Sequence, residues 1–423
     1  GGHSLKATLL CNQLETIFGV SINVSDIFAN PTVRQLAECI AQTDNQVQIL
    51  PKAQEQELYE ASSAQKRIYF ACQMNRNALL YNMPMFFECE DNMEEKRVEA
   101  AFQTLLERHE SLRTVFLKKD GKIYQKVIPT DQICFSVQKV KREQFVQPFN
   151  LEKAPLIHVG IAEEDEKQYL CIDVHHIASD GYGMNILIRE FLQIYQGETL
   201  LPECIQYKDY SEWMRTRDIS SQQNFWMKQY EEDVPVLNLF TDYKREPEKL
   251  GHGKSCQVMV RDTLSDKMKE FANRHGMTEY MIYLSVVSVL LGKYSRSSKF
   301  TLGTVMANRT VHALEGIVGM FANTIAMPIS WEPSDTVEDF LRKMYSICTE
   351  AVRNQEYPYD QLVDDLKLKR DRTHNPMFDV MFVYQVGLIQ KENQKLKYVD
   401  MESPVAKFDL TVNINRTASV QIL

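Results

Sequence analysis

Residues 169–184 read Tyr-Leu-Cys-Ile-Asp-Val-His-His-Ile-Ala-Ser-Asp-Gly-Tyr-Gly-Met. An apolar strand runs straight into a histidine pair, then Asp-Gly, then an amphipathic helix whose apolar side uses Met184, Leu187, Phe191 and Ile194. Neighbouring side chains on a strand face opposite sides, which predicts separate roles for His175 and His176. Neutral imidazole is the side chain suited to accept a proton near pH 7. Asp180 falls at the loop-to-helix junction, where a carboxylate caps the helix and fixes the loop. Gly181 is expected to allow a turn that a Cβ would obstruct. The other readings of the histidine pair are metal ligation and simple packing, and the absence of an H-x-x-x-H spacing weakens the first of these.

On both sides of this segment, strand and helix signals alternate. Helical periodicity covers 64–75, 96–109, 184–196, 209–217, 222–232, 265–275, 278–294, 337–350 and 359–366. Strand-like runs cover 83–89, 113–117, 156–161, 169–175, 254–260, 299–306, 323–329, 379–384 and 407–413. The alternation predicts α/β layers with helices covering sheets. A length of 423 residues exceeds one ordinary core of about 100–200 residues, so two lobes are expected, dividing between Glu231 and Lys244. At the front, Leu5, Leu9, Leu10, Leu14, Ile17 and Phe18 repeat at helical spacing up to Gly19, and Val33–Ala41 forms another helix. The polar stretch that follows, containing Pro51, reads as a linker.

Hydrophobic residues make up 44 % and charged residues 25 % of the chain, a globular balance. The formal charge of −9 argues against a general nucleic-acid binder. No apolar run approaches the roughly 18 residues of a membrane span, and the start does not resemble a signal peptide. Nine scattered cysteines without a C-x-x-C pair suggest neither a zinc site nor a disulfide framework. A soluble, cytoplasmic protein without bound metal, nucleic-acid partner or membrane contact is expected.

His-His-x-x-x-Asp-Gly after a strand resembles the active-site motif of condensation domains of nonribosomal peptide synthetases, relatives of chloramphenicol acetyltransferase. The resemblance runs through nearly all of residues 61–411. Ser62-Ser63-Ala64-Gln65-Lys66-Arg67 matches SxAQxR, and Arg108-His109-Glu110-Ser111-Leu112-Arg113-Thr114 matches RHExLRT. Tyr207-Lys208-Asp209-Tyr210 with Trp213 matches Y-x-D-[FY]…W. Gly319-Met320-Phe321-Ala322-Asn323-Thr324 is similar to GxFVNT, with Ala322 in place of Val. Asn354-Gln355-Glu356-Tyr357-Pro358-Tyr359 resembles [HN]QDYPF with Glu for Asp, and Arg370–Pro376 resembles RDxSRNP with Thr and His substituted. Ala406-Lys407-Phe408-Asp409-Leu410-Thr411 is a further familiar element. Gly1-Gly2-His3-Ser4-Leu5 resembles the GGxSL motif of peptidyl carrier proteins, whose serine opens a helix and receives 4′-phosphopantetheine.

The resemblance implies a carrier domain at 1–43 lacking its first helix, a linker at 44–60, and a condensation domain. That domain is expected to be an α/β fold of two chloramphenicol-acetyltransferase-like lobes in a V, at 61–235 and 236–423. It implies His176 as the residue facing the tunnel, with His175, Asp180 and Gly181 completing the motif. Arg309 is expected to pair with Asp180, while Gly319 and Asn323 line the cleft and Asn323 holds a thioester or stabilises an oxyanion. Arg108, Glu110 and Arg113 read as an ion-pair network, and Tyr207 and Trp213 as packing anchors. Implied partners are a donor thioester on the Ser4-linked arm, a downstream aminoacyl carrier, adjacent adenylation domains and a phosphopantetheinyl transferase. The implied reaction is peptide-bond formation. The rivals are an epimerisation domain of the same fold and a non-catalytic docking domain; a heterocyclisation domain would replace the first histidine of the motif with Asp.

Overall fold

A computed structural model describes residues 10–11, 13–14, 17–20, 22, 26–27, 30, 32–42, 50–74, 79–243, 253–369, 374–386, 395–399, 406–416 and 420–422. Ser4 and the GGxSL segment lie outside the described residues, as does 370–373 of the RDxSRNP-like segment. In chain order the first half contains α1 (Val33–Gln42), β1 (Tyr59–Glu60), α2 (Ser63–Met74), β2 (Asn82–Cys89), α3 (Glu95–Arg108), β3 (Thr114–Lys119) and β4 (Lys122–Val127). It continues with β5 (Gln138–Lys139), α4 (Arg142–Phe145), β6 (Ile157–Glu164), β7 (Lys167–His175), α5 (Gly181–Tyr195), α6 (Tyr207–Thr216) and α7 (Ser220–Gln229). The second half contains β8 (Val258–Val260), α8 (Asp262–Arg274), α9 (Glu279–Ser295), β9 (Lys299–Met306), β10 (Asn323–Ser330), α10 (Val337–Arg353) and α11 (Tyr359–Asp365). It ends with β11 (Val380–Val386), β12 (Leu396–Val399), β13 (Leu410–Arg416) and β14 (Val420–Ile422).

Among the described residues the strands form a five-stranded sheet β12-β2-β7-β6-β5, a six-stranded sheet β10-β9-β11-β13-β14-β8, and a small sheet β1-β4-β3. In the first, β7 is central and pairs antiparallel with β2 and β6, so Asn82 lies opposite His175 and Met83 opposite Val174. Its apolar composition follows from burial on both faces. Ile172 and Val174 enter one core, and Tyr169 and Cys171 a second, smaller cluster. Helix α5 lays Ile186, Leu187 and Phe191 on the first core, with Phe191 stacked on Phe102 of α3 at 4.7 Å. Each fully buried side chain of this size contributes roughly 1.5–3 kcal/mol.

A second core gathers around the six-stranded sheet, from Trp226 and Tyr230 through Leu284, Phe300 and Phe340 to Phe382 and Ile414. The chain crosses between the cores more than once. Val311, Leu314, Ile317, Val318, Met320 and Phe321, which follow β9, are buried in the first core before β10 rejoins the second. Leu396 of β12 also packs there, because β12 pairs with β2 at the edge of the first sheet. These crossings carry second-half residues to the loop after β7.

Three local expectations change. The first strand predicted after the second lobe boundary, 254–260, is reduced to Val258–Val260. The strand predicted at 407–413 starts at Leu410, leaving Lys407 to Asp409 in a bend. Part of the polar stretch read as a linker lies on the body. Leu50 is buried, Asp209 Oδ1 accepts from the Ala53 N–H at 2.9 Å, and Tyr59–Glu60 pairs with β4.

Candidate active site

The loop that leaves β7 is built around two groups of opposite character. Strand β7 ends at His175 and His176 already belongs to a turn, closed by the Ala178 N–H donating to the His175 carbonyl at 2.9 Å. The expectation that strand alternation separates the two histidines is therefore corrected: the strand ends too early. Instead the Tyr81 ring borders both, at 6.4 Å from His175 and 6.5 Å from His176. His175 is buried. Its Nδ1 accepts from the Ile177 N–H at 3.2 Å, and its Nε2 lies 3.7 Å from Cys72 Sγ.

His176 is half-buried, and its backbone N–H donates to the Tyr81 carbonyl at 2.8 Å. Its Nδ1 sits 3.0 Å from the Ser179 carbonyl. A carbonyl only accepts, so Nδ1 carries the proton and Nε2 keeps its lone pair. Burial pushes both imidazoles down to about 3. For His176 the cation of Lys407 adds to burial, and for His175 the neighbouring His176 and then Lys407 do so. Both rings are neutral at pH 7, the state a proton acceptor needs.

Asp180 is 1 % exposed and fully engaged. As the N-cap of α5 it accepts from the Gly183 N–H at 2.8 Å through Oδ1, while Oδ2 accepts from Phe321 and Ala322 N–H at 3.0 and 2.9 Å. Arg309 Nη2 lies 3.6 Å from Oδ1. The Arg309 guanidinium is itself buried, stacked between the Tyr182 and Phe321 rings, and its Nη1 donates to the carbonyls of Leu314 and, at 2.8 Å, Ile317. The structure thus brings Asp180 and Arg309 together and ties the loop after β7 to the segment before β10.

The glycines are corrected. Gly181 is exposed, its φ is not in the left-handed region, and nothing lies within 4 Å of where a Cβ would sit. No turn there requires glycine. The crowded position is Gly183, where a Cβ would stand 2.4 Å from Ser179 Oγ. Gly319 is crowded too: its Cβ would meet the Tyr207 ring at 2.0 Å. Tyr207 is fixed there because its hydroxyl donates to the Met320 carbonyl at 2.6 Å and bonds Ser62 Oγ at 2.8 Å.

Asn323 is also corrected. Its Nδ2 donates to the carbonyls of Gln355 and Tyr357 at 2.8 and 2.7 Å, so both amide hydrogens are occupied and none is left for an oxyanion. It braces the Gln355–Tyr359 segment. The Arg108-to-Arg113 motif makes ion pairs and carbonyl contacts. Arg108 bonds Glu190 and Glu203, His109 bonds Glu190 at 2.7 Å, Lys208 bonds Glu110, and Arg113 donates to the Leu106 and Ile128 carbonyls.

Two residues beside the histidines had no role in the sequence reading. Asp173, buried within β7, accepts from Asn82 Nδ2 at 2.6 Å and the Met83 N–H at 3.0 Å, and burial pushes its carboxyl up to about 7. It pins the turn from which the Tyr81 carbonyl reaches His176. A charge inside the run Tyr-Leu-Cys-Ile-Asp-Val was the available signal. Lys407 places Nζ 4.6 Å from the centre of the Tyr81 ring. Burial and the nearby Arg67 push its ammonium down to about 8. No local pattern joins it to His176. Among the described residues no helix is long and apolar enough to cross a membrane, and no group of three or more His, Cys, Asp or Glu could hold a metal ion.

A family model described as a condensation domain matches residues 55–422, and one described as a phosphopantetheine attachment site matches residues 1–40. Bacitracin synthase 2 of Bacillus licheniformis is 35 % identical over 99 % of this chain, which spans 17 % of that protein. Gramicidin S synthase 2 of Brevibacillus brevis is 36 % identical over 98 % of the chain, which spans 10 % of its length. The chain therefore spans under a fifth of these curated relatives. The condensation domain from the monacolin K polyketide synthase MokA has a TM-score of 0.78 at 18 % identity, with 88 % of this chain and 92 % of that one covered; it shares the fold.

Proposed function

The chain belongs to the condensation-domain family of nonribosomal peptide synthetases, with a phosphopantetheine attachment segment ahead of the condensation domain, and we propose that it joins a carrier-bound donor thioester to the amine of a downstream aminoacyl carrier. The observation that carries this reading is the neutral His176 ring, with Nδ1–H held by the Ser179 carbonyl and Nε2 left as an acceptor. The 4′-phosphopantetheine arm on Ser4 supplies a flexible thiol on which the donor is carried. Tethering of both reactants raises their effective concentration.

The acceptor amine attacks the donor carbonyl carbon, a C–N bond forms and the carbonyl π pair moves onto oxygen. His176 Nε2 takes the proton of the resulting ammonium. The oxygen pair then re-forms the carbonyl as the C–S bond breaks, and the proton on His176 passes to the departing thiolate. Asp180 and Arg309 hold the loop that aims His176, and Asp173 holds the turn whose Tyr81 carbonyl fixes its backbone. Adjacent adenylation domains, a phosphopantetheinyl transferase and a cytoplasmic setting belong to the same reading.

The test loads the chain with an acyl-pantetheine group, using a phosphopantetheinyl transferase and an acyl-CoA, and supplies an aminoacyl acceptor carrier. Mass spectrometry is expected to show one arm on Ser4, none on Ser4→Ala, and a peptidyl product on the acceptor. An inverted donor without a new amide selects the epimerisation reading, and a loaded donor unchanged in both respects selects the docking reading.

A further inference from the structure

The surroundings of the histidines hold two cations. Lys407 stands in the bend before β13 of the six-stranded sheet, yet its ammonium lies over the ring of Tyr81, which precedes β2 of the five-stranded sheet. That ring borders both histidines. Arg67 of α2 acts on Lys407, on Tyr81 and on His176. Among the described residues, the ionisable groups facing Lys407 are Arg67 and Cys72 from α2, Tyr81 from the turn before β2, and His175 and His176 from the loop after β7. Asp360 of α11 lies beyond, acting on Arg67 and accepting from Ser63 Oγ at 3.2 Å. No carboxylate pairs with Lys407 among the described residues. A cation kept partly buried without an anion is costly unless an anion arrives.

We propose that the Lys407 ammonium is the electrostatic partner of the negative charge that develops on the donor carbonyl oxygen beside His176. This rests on the condensation reading above. In that reaction the first new anion near the histidines is the carbonyl oxygen in the tetrahedral intermediate, and the thiolate that departs later is neutralised by the proton on His176. A fixed cation stabilises it without reorganisation, in surroundings where charge is poorly screened. Lys407 gives up no proton in the step. His176 alone accepts the ammonium proton and returns it to the thiolate. Asn323, the sequence-based candidate for the oxyanion, has both amide hydrogens occupied elsewhere, which leaves the charge without that partner.

The experiment compares wild type, Lys407→Met and Lys407→Arg, each checked for folding by thermal melting. Single-turnover condensation is followed from pH 6 to 9.5, and histidine titration by NMR. The expected result is a rate for Lys407→Met about 10²-fold below wild type and substantial recovery in Lys407→Arg. Wild type is expected to lose rate above about pH 8, where its ammonium deprotonates, and Lys407→Arg to keep its rate there. The His176 pKa is expected to rise in Lys407→Met. A folded Lys407→Met chain with wild-type rate and pH profile, or with an unshifted His176, overturns the proposal. A wild-type chain that makes no peptidyl product defeats the condensation reading instead, and the histidine titration then still decides whether Lys407 acts on His176.

Discussion

Asp180 and His176 are four residues apart on one loop and live under opposite conditions. The Asp180 carboxylate has three backbone N–H donors and a buried arginine, leaving no capacity for substrate. His176 has one ring nitrogen fixed and the other open, beside Lys407, which has no carboxylate paired to it among the described residues. The difference teaches how one motif divides its work. A saturated group gives rigidity, and an unsaturated one keeps chemistry in reserve. Holding both functions in seven residues requires that the carboxylate be satisfied by distant parts of the chain, which is what the return of residues 309–322 to the first core accomplishes.

The sharpest way to break this comparison is to remove each group separately. Asp180→Ala leaves Arg309 buried without its anion and frees the Phe321 and Ala322 N–H groups. Loss of one partner of a buried pair costs about 3–5 kcal/mol. Urea unfolding is expected to show that loss, together with lost activity. His176→Ala is expected to unfold at the wild-type urea midpoint while condensation on loaded carriers falls about 10²–10⁴-fold. Equal stability of the two variants would erase the distinction between them.

A second test uses pH. The folded chain holds His175 and His176 neutral down to about 3, whereas the unfolded chain protonates them near 6.5. Their folded pKa values are depressed, so their contribution is present above about pH 6.5 and is lost as pH falls. Each costs about 1.4 kcal/mol per pH unit. Asp173 works the other way. Its folded pKa is raised to about 7, so below that pH the fold binds a proton that the unfolded chain lacks until about pH 3.9, and acidification favours the fold. Between pH 6 and 4.5 the three groups together therefore predict falling stability at about one proton's slope, roughly 1.4 kcal/mol per unit. Asp173→Asn is expected to steepen that fall to about two protons' slope, roughly 2.7 kcal/mol per unit, read from urea midpoints. An unchanged slope would mean that the Asp173 carboxyl is ionised in the fold.

Much of this was legible locally. The helix of residues 184–196 was recognisable from its apolar stripe, and its cap from an Asp at the right junction; both are properties of a few adjacent residues. The hairpin of β3 and β4 was legible too, yet the strand-like runs omit β4. Asp120 and Gly121 both take positive φ, 50° and 79°, and Asp-Gly between alternating residues is a strong turn signal. What was not legible is long-range. β12 is a short edge strand fixed by its partner β2 rather than by its own composition. Lys407 lies over the Tyr81 ring from a bend, because β13 begins three residues later than periodicity suggests. Asn323 looked like a cleft residue because an amide can bind a thioester, and only the carbonyls of Gln355 and Tyr357 reveal that it is occupied.

The smallest expected effect separates two glycines in the same motif. The Asp-Gly pair drew attention to Gly181, but its site is open and its backbone suits any residue at the first position of α5. Replacing it with alanine lowers the entropy of the unfolded chain, so Gly181→Ala is expected to stabilise by about 0.4–1 kcal/mol and leave condensation unchanged. Gly183→Ala instead drives a Cβ toward Ser179 Oγ, which lies fully buried and donates to the Asp180 carbonyl at 3.2 Å. Overpacking of this kind costs about 1–3 kcal/mol. If the clash is with that hydroxyl alone, Ser179→Ala combined with Gly183→Ala recovers most of the loss. Thermal melting of the three variants decides the matter: a destabilised Gly181→Ala would restore Gly181 as the glycine the loop needs, and a Gly183→Ala that melts with wild type would remove the packing at Gly183 as the reason a glycine stands there.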